Sequence, residues 1–279
     1  MSRARLLFST GSLYVMDVAH CFALAAEAGF DGVEVMCDDR WSTRDPRYLA
    51  GLAERHRQPV LVCHTPFSPR LPGWRAPQDH VARIEQTLRL AEALGAETIV
   101  VHLPDRIRLR KVSLFGRTVR VPSRAGTRGL KAWFEEELRH FQRRTTVRLG
   151  IENMPAARIF GRPVSHVWWN TVPEWSRVHR WLTLDTTHWA THGVDPLDAL
   201  RAAGDRLCHV HLSNYDGREH RLPQRGRLDL AAFLRALAGA GFEGTVSVEL
   251  HPDALEFHDD AALRRNLAET VAFCRAHLQ

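Results

Sequence analysis

The sequence predicts an α/β barrel, (β/α)8: eight parallel strands, each followed by a helix, closed into a ring. Three observations carry this. The 279-residue chain alternates short β-rich runs with amphipathic segments. Alanine-rich helical stretches stop at glycine and pass at once into a strand, as around Gly29 (Ala-Gly-Phe-Asp-Gly-Val), Gly95 (Leu-Gly-Ala-Glu-Thr-Ile) and Gly241 (Ala-Gly-Phe-Glu-Gly-Thr). No glycine-rich nucleotide fingerprint follows the first strand, which counts against an open doubly wound sheet.

In order, the apolar runs give strands over 5–9, 32–36, 59–64, 97–102, 147–152, 181–185, 207–213 and 245–250. Helices are expected over 17–28, 45–57, 78–94, 127–143, 172–178, 196–203, 229–240 and 260–277. In the third of these, Val81, Ile84, Leu88 and Ala91 recur at helical spacing and mark one buried face. Two segments break the rhythm. Residues 103–126 are long and basic, and Lys-Val-Ser-Leu-Phe-Gly-Arg-Thr-Val-Arg-Val alternates about Phe115-Gly116, so a β-hairpin is expected after strand four. Residues 214–228 form the other long loop. Both follow strands and would overhang the face of the barrel where such folds do chemistry. With no linker or internal repeat, the whole of 1–279 reads as one domain.

A hydrophobic content of 44% supports a sizeable core. No run of about 18 apolar residues is present, and the apolar stretch Leu6–Phe8 is too short for a signal peptide. A cytoplasmic protein without membrane contact is expected. The five cysteines lack Cys-x-x-Cys spacing and read as reduced, mostly buried thiols. The net charge is +6, and Lys111 and Lys131 are the only lysines among 38 basic residues. That balance hints at anionic ligands.

The chemistry sits where the strands run out. Val-Cys-His ends at His64, Val-Val-His at His102, Gly-Ile-Glu at Glu152, Leu-Thr-Leu-Asp at Asp185, His-Val-His at His211 and Val-Ser-Val-Glu at Glu249. Strand side chains alternate faces, so Glu152 shares a face with Gly150, and His211 with His209 and Ser213. The inward assignment follows because buried carboxylates need a cation or hydrogen bonds. Glu152, Asp185, His211 and Glu249 together suit Zn²⁺, Mn²⁺, Mg²⁺ or Co²⁺. His188 reaches the same mouth from Asp-Thr-Thr-His. His64 and His102 lie across from the acidic half. One ion does not need all of these groups; two or three do.

On these residues the chain resembles the xylose-isomerase-like TIM barrels, which include the endonuclease IV (apurinic-site endonuclease family 2) enzymes and many sugar isomerases and epimerases. The resemblance covers nearly the whole chain. Its most specific parts are Gly-Ile-Glu-Asn-Met-Pro (150–155), Leu-Asp-Thr-Thr-His (184–188), His-Val-His-Leu-Ser-Asn (209–214) with His220 and Gly226, and Ser-Val-Glu-Leu (247–250); His-Thr-Pro-Phe (64–67) and Val-Val-His-Leu-Pro (100–104) extend it.

The endonuclease branch implies a trinuclear zinc site with nine ligands. Eight match here: His64, His102, Glu152, Asp185, His188, His211, His220 and Glu249. The ninth, an Asp two residues before the loop histidine, is Arg218, with Asp216 or Glu219 as candidate replacements. The isomerase branch implies one ion on Glu152, Asp185, His211 and Glu249, with the two glutamates as acid and base. The resemblance thus implies catalytic roles for Glu152, Glu249 and His188, and substrate contacts for Arg218, Asn153 and Asn214.

The leading expectation is a metal-dependent phosphoester hydrolase with a di- or trinuclear site. The alternative is a single-metal sugar or sugar-phosphate isomerase or epimerase. The expected partner is a small phosphorylated or sugar substrate. Nucleic acid is less favoured, although Phe67, Arg70, Trp74 and Arg75 offer an aromatic and basic loop. The oligomeric state is left open.

Overall fold

A computed structural model describes residues 4–66, 71, 73–74, 79–114, 117–124, 128–159 and 161–278. Among them, parallel strands β1 (Arg5–Ser9), β2 (Gly32–Met36), β3 (Val60–His64), β4 (Thr98–His102), β7 (Arg148–Glu152), β10 (Trp181–Asp185), β11 (Leu207–Leu212) and β12 (Thr245–Val248) pair in that order, and β12 closes on β1. The antiparallel hairpin of β5 (Ile107–Leu114) and β6 (Arg117–Arg124) rises after β4 as expected. Its expected turn, Phe115-Gly116, lies outside the described residues, as do Phe67, Arg70 and Arg75.

Helices α1 (Val18–Ala28), α2 (Pro46–His56) and α3 (His80–Leu94) follow the first three strands. Asp17, Asp45 and Asp79 cap them, each carboxylate accepting a first-turn N–H; such a cap contributes about 1 kcal/mol. The helix expected over 127–143 runs through the described residues 128–142 with a π-helical turn inside it. It is α4 (Arg128–Ala132), a π-helical turn (Trp133–Glu137) and α5 (Leu138–Gln142). Then come α6 (Val172–Val178), α7 (Thr186–Thr191), α8 (Pro196–Ala203), α9 (Leu230–Gly239) and α10 (Asp260–His277). The hairpin of β8 (Ala157–Ile159) and β9 (Arg162–Val164) and the short α7 were not expected. Both are too short to show a period in the sequence. Strand β12 is also shorter than expected, so Glu249 lies one residue beyond it, its N–H still 3.4 Å from Leu212 O.

Outward strand residues such as Val33, Ile99, Leu149 and Val246 pack under the helices in one continuous core. The barrel interior is divided. Leu7, Val62 and Val100 form a small apolar cluster, while Thr98, Thr183, His209, Thr245 and Ser247 are buried polar residues. Gly150 makes room for this layer, since a Cβ there would lie 2.4 Å from Thr183 Oγ1. All five cysteines are free and buried. No helix among the described residues is long and apolar enough to cross a membrane.

His179, between α6 and β10, is 3% exposed, and neither ring nitrogen has a hydrogen-bond partner among the described residues. Burial pushes its pKa down from 6.5 to about 3. The unfolded imidazole therefore takes up a proton that the folded one refuses. Stability from this group is full above the unfolded value and declines as pH falls from 6.5 towards about 3, by up to roughly 1.4 kcal/mol per pH unit. Melting temperatures of His179→Leu should accordingly fall less than those of the parent between neutral and acid pH. Parallel curves would show that this imidazole does not set the acid limb.

Candidate metal centre

The strand ends bring the acids and imidazoles together. Asp185 stands beside His211 in the β10–β11 register, and His102 beside Glu152 in the β4–β7 register. Donor atoms of Glu152, Asp185, His211 and Glu249 all lie within 4.8 Å of one another. The same holds for His64, His102 and Glu152, and for Asp185, His188 and His220. Glu152 and Asp185 are each shared by two of these sets.

Local structure aims each group. Asp185 caps α7, its Oδ1 accepting from His188 N–H at 2.8 Å and Thr187 Oγ1–H at 3.0 Å. Its Oδ2 is left buried without a hydrogen-bond partner among the described residues. The spacing Asp-Thr-Thr-His thus makes one residue the cap and puts the histidine on the first turn beside it. His188 Nδ1 lies 2.8 Å from Asn153 O. A carbonyl only accepts, so this nitrogen carries the proton and Nε2 faces the acids, 3.8 Å from Asp185 Oδ2. His64 is fixed the same way: Nδ1–H donates to Thr65 O at 2.7 Å and Nε2 faces Glu152 Oε2 at 3.5 Å.

The Glu152 carboxylate faces two ways. Oε1 lies 2.8 Å from His211 Nδ1, and Oε2 lies 3.1 Å from His102 Nε2. Oε2 is buried and has no hydrogen-bond partner of proper geometry among the described residues. Two buried carboxylate oxygens without hydrogen bonds, on Glu152 and Asp185, are costly unless a cation meets them. This donor set of carboxylates and imidazoles fits a divalent metal ion. Burial alone would raise the Glu152 pKa, but His211, His102 and His64 hold it well below the ordinary carboxylate range. Burial would likewise lower His211, but Glu34, Glu249 and Glu152 outweigh it and raise that imidazole well above its usual value.

Above the centre lies a cavity of about 230 Å³ lined by apolar groups, among them Tyr14, Met36, Met154 and Leu250, as well as by the ligand candidates. The family model for xylose isomerase-like TIM barrels matches residues 22–276. The chain belongs to that family. An uncharacterised protein of Mycobacterium leprae is 31% identical over 296 residues, covering 97% of this chain and 96% of that protein. Among solved structures, the 3-keto-D-glucoside 4-epimerase YcjR of E. coli aligns with a TM-score of 0.70 at 20% identity, over 96% of this chain and 99% of that one. A family 2 AP endonuclease of Brucella melitensis aligns with a TM-score of 0.65 at 17% identity, over 98% and 99%. These two likenesses show the same fold.

Three residues for which the resemblance implies substrate contacts, Asn153, Asn214 and Arg218, make other contacts here. Asn153 is fully buried and bolts β7 to β10: Nδ2–H donates to Asp185 O at 3.0 Å and Oδ1 accepts Asp185 N–H at 2.8 Å. Asn214 ties down the long loop, Nδ2–H donating to Pro223 O and Leu228 O while Oδ1 accepts from Tyr215 and Leu228 N–H. Gly226 gives it space, because a Cβ there would lie 2.2 Å from Asn214 Oδ1. Arg218 is 73% exposed and pairs with Asp216 at 3.4 Å, so neither reaches the centre. Glu219 does turn inward, its Oε1 3.9 Å from His188 Nε2. His220 stands at φ +58° beside it, Nδ1 3.2 Å from Glu249 O.

Sequence reasoning missed Glu34. It projects from β2 into the lumen, is fully buried, and meets His211 Nε2 at 3.1 Å and His209 Nε2 at 2.9 Å. His209 is completed by Thr245 Oγ1 at 2.7 Å on its other nitrogen. Glu34 thereby accepts the Nε2 proton of His211 and leaves Nδ1 for the centre. The available signal was a carboxylate between Val33 and Val35, a residue that an apolar strand buries only with partners.

Proposed function

We propose that this chain is a divalent-metal-dependent hydrolase of small phosphoesters, with a centre of two or three ions. The observation that carries the reading is Glu152, whose two carboxylate oxygens face separate imidazole sets. That is the arrangement of a carboxylate shared between neighbouring cations. In this reading His64, His102 and Glu152 hold one ion, and Glu152, Asp185, His211 and Glu249 another. Asp185, His188 and His220 hold the third, with Glu219 taking up the position expected of an Asp at residue 218. Bound Zn²⁺ or Mn²⁺ would supply a water of lowered pKa and positive charge against phosphoryl oxygens. Glu152 and Glu249 would orient that water, and His188 would face the developing charge from the loop side. The apolar walls of the small mouth exclude bulk solvent and suit a compact substrate better than a duplex.

Metal analysis of protein purified without chelators tests the reading. Two or three ions per chain are expected, with hydrolysis of p-nitrophenyl phosphate or its diester lost to a chelator and restored by Zn²⁺ or Mn²⁺. A single ion per chain, with that content unchanged in His64→Ala and His102→Ala, would defeat it. A second reading rests on the four-residue set alone: Glu152 and Glu249 both approach His211 Nδ1, at 2.8 and 3.1 Å, as an acid–base pair around one ion would. It is a single-metal sugar or sugar-phosphate isomerase or epimerase, and it predicts solvent deuterium at the carbon beside a substrate carbonyl.

A further inference from the structure

A second cavity, of about 810 Å³, lies on the outer wall of the barrel between α5 and α6 and shares no lining residue with the mouth. Its origin is local. Helix α6 has seven residues and is about 10 Å long, and the cavity opens beside its C-terminal end at Arg177 and Val178. The π-helical turn before α5 interrupts the helix on the other side. The outward side chains Leu149 and Ile151, 2% and 1% exposed, lie at its base beneath Phe134, Trp169 and Trp181.

Two features distinguish this cavity from a packing fault. The first is His179, which lines it with both ring nitrogens unpartnered among the described residues. The rings of Phe134 and Trp169 stand edge-on to it at 5.6 and 5.8 Å, so the imidazole is held in place but not hydrogen-bonded. It is neutral, and offers one donor and one acceptor. The second is charge. Arg139, Arg143, Arg148, Arg177, Arg180 and Arg206 line the same cavity; none is within ion-pair distance of a carboxylate among the described residues, Arg148 acting on Glu97 only through space. The one lining glutamate, Glu135, is already paired with Lys131. Arg148 and Arg180 stack on Trp181, their Cζ atoms 5.1 and 4.6 Å from the ring centroid.

We infer that this cavity is a binding site for a small aromatic phosphate of the nucleotide class. A free inorganic anion would satisfy the arginines but leave the aromatic floor and His179 unmet. A purely apolar molecule would leave the imidazole unpaired and the arginines uncompensated. A heterocycle stacks on the aromatic rings, its hydrogen-bonding edge reaches the buried His179 where the side chains over it give way, and its phosphate meets the guanidinium groups, which bind such oxygens in pairs. The volume falls in the range of small-molecule sites, about 300–1,000 Å³.

The test is calorimetric titration of the full-length, metal-replete protein with AMP, GMP, UMP and CMP, and with adenosine and ribose 5-phosphate as separate halves. At least one monophosphate should bind saturably below about 1 mM, and about tenfold or more tighter than either half. Arg143→Ala with Arg180→Ala, both exposed positions, should weaken that binding by about tenfold or more, with metal content unchanged. His179→Leu should weaken it as well. The inference is overturned if no monophosphate binds in that range or if a half binds as well as the whole. Undiminished binding to the double arginine variant overturns it too, because the ligand then sits elsewhere. So does a dimer dissolved by Arg180→Glu, because a second copy of the chain is then what covers the face.

Discussion

Glu152→Gln should strip the centre on both sides at once. The amide keeps the shape of the side chain but loses the charge, and only one of its two polar atoms can accept. Metal content should fall to at most one ion per chain, and turnover should drop by roughly 10³-fold, the upper end of what one electrostatic group contributes to a catalytic site. The fold should survive. His211 keeps Glu34 and Glu249 as counter-charges at 3.1 Å each, so no isolated buried cation is created. Elemental analysis, a turnover assay and a melting curve on one preparation check this. Full metal content in the variant would remove Glu152 from the shared position assigned to it.

The second large effect is expected at Glu34, which does not line the mouth and meets the centre through His211. Glu34→Gln removes the carboxylate that receives the His211 Nε2 proton. The amide leaves one acceptor for two imidazoles, His209 and His211, and no charge to hold the His211 tautomer, so metal affinity should fall about 10- to 100-fold, the usual cost of weakening such a partner. A merely structural role would lower stability and leave a defect that added metal does not mend. A positioning role predicts the opposite: turnover falls at limiting Zn²⁺ or Mn²⁺ and returns near the parent value at excess. Chelator competition gives the affinity, and turnover against metal concentration separates the two cases.

The barrel was legible because its physics is repetitive. Apolar runs of strand length alternate with amphipathic stretches, and glycine marks the return from helix to strand. The six strand-terminal residues were legible for a related reason, since a carboxylate or imidazole at the end of an apolar run has few places to go. Glu34 escaped that rule because it sits within its strand, and its partners His209 and His211 follow some 175 positions later. Asn153 and Asn214 follow ligand positions in the motifs, yet their amides are consumed by backbone groups that no sequence pattern displays. Arg218 faces solvent because the loop ties back on itself through Asn214 and turns the next residue inward instead. The pieces of the helix before β7 were not separable by sequence, because a π-helical turn keeps nearly the periodicity of the α-helix around it.

The hydrogen bonds of Glu34 reach from β2 past β1 and β12 to β11. They therefore straddle the seam where the beginning and the end of the polypeptide meet. Joining the two ends and presenting a correctly oriented imidazole become a single event. An intermediate with the ring still open would own most of the ligands yet hold metal poorly, so cation uptake during refolding should report when the circle shuts.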